Sequence, residues 1–540
     1  KNFFVRGYMT TEDAGNSYDM RFAGWNVNRL AKSDVGWFTD YATAFQLSSA
    51  IMGVNTTDAG AIARNYADNN ILPSQIQGLP QFANGPSGSA RFVPGTSEYA
   101  QAFATVISNP DLTRGAKFQD QSKIYHADAN YNFKDLIDFA EFQAGGSVRQ
   151  YELNSNGTIF TDFDGPITYN EFGVYGQVQK KFMDDRLKFT GSIRYDKSQN
   201  FEGQFSPRIS FVYSAGAQKN HNFRASFQTG FRNPTTQDQY IGLDLGPFAL
   251  IGSAQENLDR YVETMNVSAA GQALAGQTVG PTKTLTGNDA YNTPVYSAPS
   301  VAKFLQTQNT ADLEVVSINL VKPEQVKAFE VGYKTILENG LSVDMNVYYN
   351  IYNDFMSTSR VMKPYYGEVK ENPASNDDVV SALKFGDRRV FQVYTNTSET
   401  VSSMGFGLGL SKKVYKDFEL GANYSHSQFE FDQEKDPAFI AGFNTPKHRV
   451  KASLGNAKLF KNFGFNVNVR WNSEYLWQAS FADGMVPENT VLDAQINYAI
   501  PAIKSVLKVG AANLFGKDYL QVVGAGLIGQ QIFASLTINP

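Results

Sequence analysis

Phe227-Gln-Thr-Gly-Phe-Arg-Asn-Pro234 is the stretch whose reading decides the fold. It ends a longer segment, His221–Arg232. Phe223, Ala225, Phe227, Thr229 and Phe231 share one face of that segment, and Arg224, Ser226, Gln228 and Arg232 share the other. Strict alternation of this kind marks a strand with one apolar and one wet face. Pro234 stops it, because proline has no N–H to give to a ladder. After the long loop Asn233–Glu324, Lys322-Pro-Glu324 leads into a second such strand through Phe329-Glu-Val-Gly-Tyr-Lys334.

The same period recurs along the chain. Leu187, Phe189, Gly191, Ile193 and Tyr195 oppose Lys188, Thr190, Ser192, Arg194 and Asp196. Phe463, Phe465, Val467, Val469 and Trp471 oppose Asn466, Asn468, Arg470 and Asn472. Leu341–Tyr349 and Thr490–Tyr498 repeat the scheme. A soluble sandwich also alternates, but globular strands centre on about five or six residues and these are roughly twice as long. The polar faces suit a wet lumen. Tyr195, Phe231, Tyr349, Trp471 and Tyr498 close the apolar faces as an interfacial girdle would. These features predict an all-β fold, a transmembrane antiparallel β-barrel.

About sixteen strands are expected, near 2–10, 121–133, 135–151, 169–181, 186–198, 204–214, 221–232, 326–337, 340–353, 401–413, 416–428, 446–458, 462–474, 488–498, 503–514 and 528–539. Short turns such as Met183-Asp-Asp185, Glu338-Asn-Gly340, Tyr415-Lys-Asp417 and Phe460-Lys-Asn462 alternate with long connections, roughly Thr11–Asp120, Asn233–Glu324, Asp354–Val401 and Glu430–Pro446. Short turns on one side and long loops on the other are the pattern of outer-membrane barrels. The whole of 1–540 then reads as one barrel domain, with 11–120 and 233–324 as its two longest extracellular loops. Within Thr11–Asp120, the segments Met20–Ala31, Val35–Met52, Asp58–Asp68 and Ser97–Ile107 carry helical spacing. Short amphipathic helices are expected there.

Composition narrows the function. The 540 residues include no cysteine, which excludes disulfides, thiolate metal sites and cysteine nucleophiles. A net charge of −5 gives no electrostatic footprint for nucleic acid. No run of about eighteen apolar residues exists, so a transmembrane helix is not expected. Mean hydropathy is −0.33, as suits strands of which only alternate residues meet lipid. Lys1-Asn-Phe-Phe-Val-Arg6 already reads as strand, without a signal-peptide pattern, so the chain reads as mature or clipped.

Seven motifs, in order, resemble the TonB-dependent receptor family, in particular its Bacteroidota branch. They are Glu171-Phe-Gly-Val-Tyr-Gly-Gln177, Leu187 to Asp196, Ser206-Pro-Arg208, Gly230-Phe-Arg-Asn-Pro234, Lys322-Pro-Glu324, Tyr348-Tyr-Asn-Ile-Tyr-Asn-Asp354 and Asn513-Leu-Phe-Gly-Lys-Asp-Tyr519. The resemblance implies a barrel of about 22 strands filled by an N-terminal plug that contacts TonB. No plug or TonB box is legible here. The chain is therefore expected to be the C-terminal barrel portion, lacking the plug and about six strands. Ile532–Asn539 alternates as a closing strand, yet it is followed by Pro540 rather than an aromatic.

Candidate sites are few. Tyr240, Phe248, Tyr261, Tyr291, Tyr365, Tyr366, Tyr475 and Trp477 are loop-borne aromatics that would stack on a substrate or pack loop on loop. Arg232 sits at the lumen rim, to meet substrate or plug or to pair with a carboxylate across the lumen. Asp162, Asp164 and Glu171 fall at calcium-loop spacing, but Phe160 occupies the first ligand position and a plain surface turn is the competing reading. His126, His221, His426 and His448 show no ligand spacing, and Gly405-Phe-Gly-Leu-Gly409 is a narrow strand face rather than a phosphate loop. No nucleophile, paired-carboxylate or metal arrangement marks an enzyme, and no cofactor is expected. By resemblance, the expected function is import of a large or scarce nutrient (siderophore, glycan or peptide) across the outer membrane of a Gram-negative bacterium. The expected partners are outer-membrane lipid, the TonB system through a plug, and a surface lipoprotein or other complex subunits. A receptor-like scaffold and a passive porin are the alternatives.

Overall fold

A computed structural model describes residues 2–274, 279–479 and 482–538. Sixteen strands form one antiparallel sheet. They are β1 (Phe3–Thr11), β2 (Lys123–Asn132), β3 (Glu141–Leu153), β4 (Ile167–Phe182), β5 (Leu187–Ser198), β6 (Gln204–Ala215), β7 (His221–Arg232) and β8 (Glu324–Ile336). The sheet continues with β9 (Ser342–Asn353), β10 (Val401–Val414), β11 (Phe418–Glu430), β12 (His448–Phe460), β13 (Phe463–Asn472), β14 (Asn489–Ile500), β15 (Ser505–Ala512) and β16 (Gln531–Ile538). Each strand pairs with its chain neighbours, so the sheet is a meander with no crossovers.

Every strand read from the sequence is present, mostly within a few residues. The β2–β3 connection is longer than expected, because Phe133–Ala140 forms turns instead of strand. Asn539 and Pro540, at the end of the expected closing strand, lie outside the described residues, as does Lys1. The short turns use left-handed backbone: Met183, Asp184 and Asp185 all have positive φ, as do Lys416, Asp417 and Asn462.

Register follows the two-faced pattern. Phe227 lies opposite Phe329 on β8, with ring centroids 4.9 Å apart, and Arg224 lies opposite Gly332. A slip of one residue would put the arginines of β7 on the apolar face. Phe172, Ile193, Ile209, Phe211, Phe223, Phe227, Phe329, Val331 and Val347 are all exposed on that outward face. Such a contiguous apolar band is the mark of a membrane wall. Among the described residues no helix is long and apolar enough to cross a membrane, which says nothing of strands.

The sheet does not close on itself. Among the described residues β1 pairs only with β2, and β16 only with β15. All nine residues of β1 and all eight of β16 are exposed.

A second sheet was not expected from the sequence. It is built by the three loops that follow β7, β9 and β11. Its hydrogen-bonded order is Val315–Val316, Val295–Ser297, Met356–Pro364, Arg388–Asn396, Ala249–Ile251 and Gly242–Asp244, with Phe439–Ile440 pairing against Met356–Pro364. The helices of the first loop, at Met20–Ala31, Asp34–Met52, Thr56–Asn69 and Ser97–Ser108, sit close to their expected bounds. Phe22, Ala23, Val27, Ala102 and Val106 pack on Ile241, Leu245 and Leu250, which joins the first loop to the sheet. Together these loops form a cap with its own hydrophobic cores.

Candidate functional site

The wet face of the wall carries ordered charge. Arg224 reaches Glu330 at 3.2 Å and Asp344 at 3.1 Å. Arg194 makes a forked contact with Asp196, and Arg6 meets Asp128 at 2.8 Å. Asp128 also lies 3.1 Å from Nε2 of His126. Arg194, Asp196 and Arg224 lie against the wall, over Gly173 and Gly332. Glycine makes the room: a Cβ on Gly173 would come within 2.3 Å of Arg194 and Asp196, and one on Gly332 within 2.4 Å of Arg224. A cavity of about 350 Å³ opens here, lined by Ser147, Arg149, Glu171, Arg194, Asp196 and Asn233 among others.

Arg232 stands at the junction of wall and cap. Its Nη2 donates to Oε2 of Glu324 at 2.9 Å and to the carbonyl of Met356 at 3.4 Å. The same carboxylate oxygen accepts from the Met356 N–H at 3.1 Å. The carboxylate that pairs with Arg232 is thus on the adjacent strand, not across the lumen. The trio ties β7, β8 and the cap sheet together. Next to it, Asn233 donates to Glu171 at 3.2 Å.

Inside the cap, Arg389 is almost wholly buried. It donates to Glu263 at 3.0 Å, to Asp244 at 2.7 Å and to the carbonyl of Gly246 at 2.7 Å. Burial lifts the Glu263 carboxyl above its ordinary range, while Arg389 pulls it back. Burial also raises Asp436, lowers the Lys363 ammonium and pushes Tyr365 up to about 12. Asp387 accepts from the N–H and hydroxyl of Ser268 and from Tyr366. Each of these carboxylates knits one part of the cap to another.

The aromatics named from sequence fall into four places. Tyr261, Tyr291, Tyr365 and Tyr366 meet in one buried core. The Tyr291 hydroxyl lies 3.0 Å from the carbonyl of Ile251 and 2.9 Å from that of Tyr394, within reach to donate. Tyr240 is buried in another core against Tyr169 and accepts from Asn200 at 2.8 Å. Phe248 is partly buried under the Arg360 guanidinium. Tyr475 and Trp477 share a small hairpin at the rim. Tyr475 donates to the carbonyl of Gln521 at 3.0 Å, and the buried indole N–H of Trp477 has no partner among the described residues.

Asp162 is the buried hub of a tight turn. Its carboxylate accepts from the hydroxyl of Ser155 and from the N–H groups of Ser155, Asn156 and Gly157. Glu171 serves β4 and the rim, and Asp164 is exposed. Among the described residues no group of three or more such ligands could hold a metal ion.

Residues 4–514 match the family model described as TonB dependent receptor-like, beta-barrel. The chain belongs to this family. It is an outer-membrane β-barrel protein, and its apolar band is the lipid-facing surface. No curated protein matches it. Solved structures share the fold. One is a mutant ferric enterobactin receptor (PfeA) of Pseudomonas aeruginosa, with 12% identity and a TM-score of 0.51, covering 78% of this chain and 55% of that one. Another is the siderophore receptor PirA of Acinetobacter baumannii, with 11% identity and a TM-score of 0.50, covering 79% of this chain and 56% of that one. The chain thus spans a little over half the length of these TonB-dependent-receptor-like neighbours.

Sequence reasoning did not single out the cap's ion clusters or the aromatic ladder Trp37–Tyr41–Phe45. The ladder had a signal, since rings four residues apart stack along one helix face. The clusters had none, because Asp244, Glu263 and Arg389 are far apart in the chain.

Proposed function

We propose that this chain is the barrel portion of an active outer-membrane importer, driven by the TonB system through a plug in a segment outside it. The observation that carries this reading is the unclosed sheet. β1 and β16 run antiparallel, so any insertion that closes the barrel in alternating order has an even number of strands. About six fit the expectation from the family, and the wider lumen would hold a plug. The charged wet face gives such a plug polar partners along the wall.

On this reading the protein takes a siderophore, glycan or peptide from outside and resembles Bacteroidota members. Thr11–Asp120, Asn233–Glu324, Asp354–Val401 and Ser473–Pro487 supply its substrate contacts. The half-exposed Tyr475 and the partly buried Phe248 offer more contact surface than the aromatics inside the cap cores. A second reading, a scaffold that docks a surface lipoprotein, is favoured by the helices of the first loop. They have a core of their own around Ala44, Ala63, Tyr66 and Ile76, and they leave Val35 and Phe38 exposed.

The test expresses the complete coding sequence in a strain lacking its own copy. Nutrient uptake is measured with and without an uncoupler of the proton-motive force. Energised uptake is expected; uptake that ignores the uncoupler would point to a passive pore and sink the proposal. Removing 11–120 separates the second reading, which requires normal uptake with loss of co-purifying partners.

A further inference from the structure

We infer that the first surface loop contains a subsite for an oxyanion (a carboxylate or phosphate) carried on a sugar-like ring. A cavity of about 220 Å³ lies between its first three helices and the irregular segment around Ser89. Its chemistry comes from Arg29, Lys32, Trp37, Arg64, Asp68 and Arg91. The volume is below the roughly 300–1,000 Å³ of sites that enclose a drug-sized ligand, so it fits one group of a larger molecule.

Most of the charge around the cavity is already engaged. Lys32 is buried and donates to Asp40 at 2.7 Å, to the carbonyl of Ala67 at 2.9 Å and to Asn70 at 2.8 Å. Arg29 forks onto Asp34, its guanidinium 3.9 Å from the Trp25 ring. Arg91 donates to Asn28 at 3.0 Å and lies 3.6 Å from Asp68. Asp68 in turn accepts from the Trp37 indole N–H at 2.8 Å, which fixes that ring as a wall.

Arg64 differs. Among the described residues it forms no ion pair, and its guanidinium lies 5.8 Å from the centroid of the Trp37 ring. Four cations and two carboxylates line the cavity. With Asp40 set against Lys32, one positive charge remains uncompensated. A planar fork beside an indole face matches a ligand with a carboxylate or phosphate on one edge and an apolar ring face beside it. Trp37 also begins the Trp37–Tyr41–Phe45 ladder, with centroids 5.3 and 6.1 Å apart, which fixes the indole's orientation.

This goes beyond transport and does not rest on it, because binding is read on purified protein without an energy source. The complete protein in detergent is titrated with glucuronate, glucose 6-phosphate and glucose, with heat and tryptophan fluorescence as readouts. At least one anionic probe is expected to bind while glucose does not. Arg64→Gln should weaken that binding by about 10- to 100-fold, as loss of a charged hydrogen bond does, and Arg64→Lys by less. Arg64 is exposed, so unchanged thermal unfolding of both variants is expected and serves as the control. Equal binding of glucose, no binding of any probe, or an Arg64→Gln variant that binds as well as the parent would each overturn the site.

Discussion

The wall and the cap are both β-sheet, yet they are held together by different physics. In the wall, each strand has one outward apolar face and one wet face, and its partners are its neighbours in sequence. In the cap, Ala249–Ile251 and Val295–Ser297 are buried throughout, and each pairs on one side within its own loop and on the other with a strand from a different loop. Ala249–Ile251 even runs parallel to Arg388–Asn396. The wall is thus local and solvent-defined, whereas the cap is non-local and defined by its own interior. A sheet of the first kind can be read from one strand at a time. A sheet of the second kind exists only as a whole.

The hardest test of that difference is Arg389→Ala. It leaves Glu263 and Asp244 without their buried partner, for a cost of about 3–5 kcal/mol. Limited proteolysis should cut the cap early while the circular-dichroism signal of the wall persists. Simultaneous loss of both would break the comparison. Within the wall, Ile209→Arg puts a charge on the lipid face and should cost about 2–4 kcal/mol if it lies near the midplane. Ser210→Arg, one residue on and facing water, should cost far less. Chemical unfolding in lipid vesicles compares the two, and equal costs would contradict the two-faced reading.

The smallest effect concerns pH. Glu263 and Asp436, raised by burial, bind protons more tightly folded than unfolded. Their contribution to stability is full below the unfolded pKa and is lost as pH rises through the folded value. The cap of the parent should therefore gain protease resistance relative to Glu263→Gln as pH falls from about 7 towards 5. A constant difference across that range would remove Glu263 from the account.

These contrasts explain what the sequence revealed. β7 was legible to the residue, as was the helix Met20–Ala31, because lipid against water, or core against water, writes a period into the chain. Strands of three residues buried on both faces write none. The loop aromatics were legible as loop-borne, but not the interior position of Tyr240, Tyr261, Tyr291, Tyr365 and Tyr366. That position depends on which loops meet. Arg232 was legible at the rim, while its partner Glu324 required the β7–β8 register.

The shared cap sheet also fixes an order of assembly. The pairings that join the loops after β7, β9 and β11 to one another form most readily once those strands stand side by side. Closing contacts of such long sequence separation is slow. The cap is therefore expected to mature last, and limited proteolysis during insertion should cut its loops before those of the finished protein. Completion of the wall is in this way recorded in the cap.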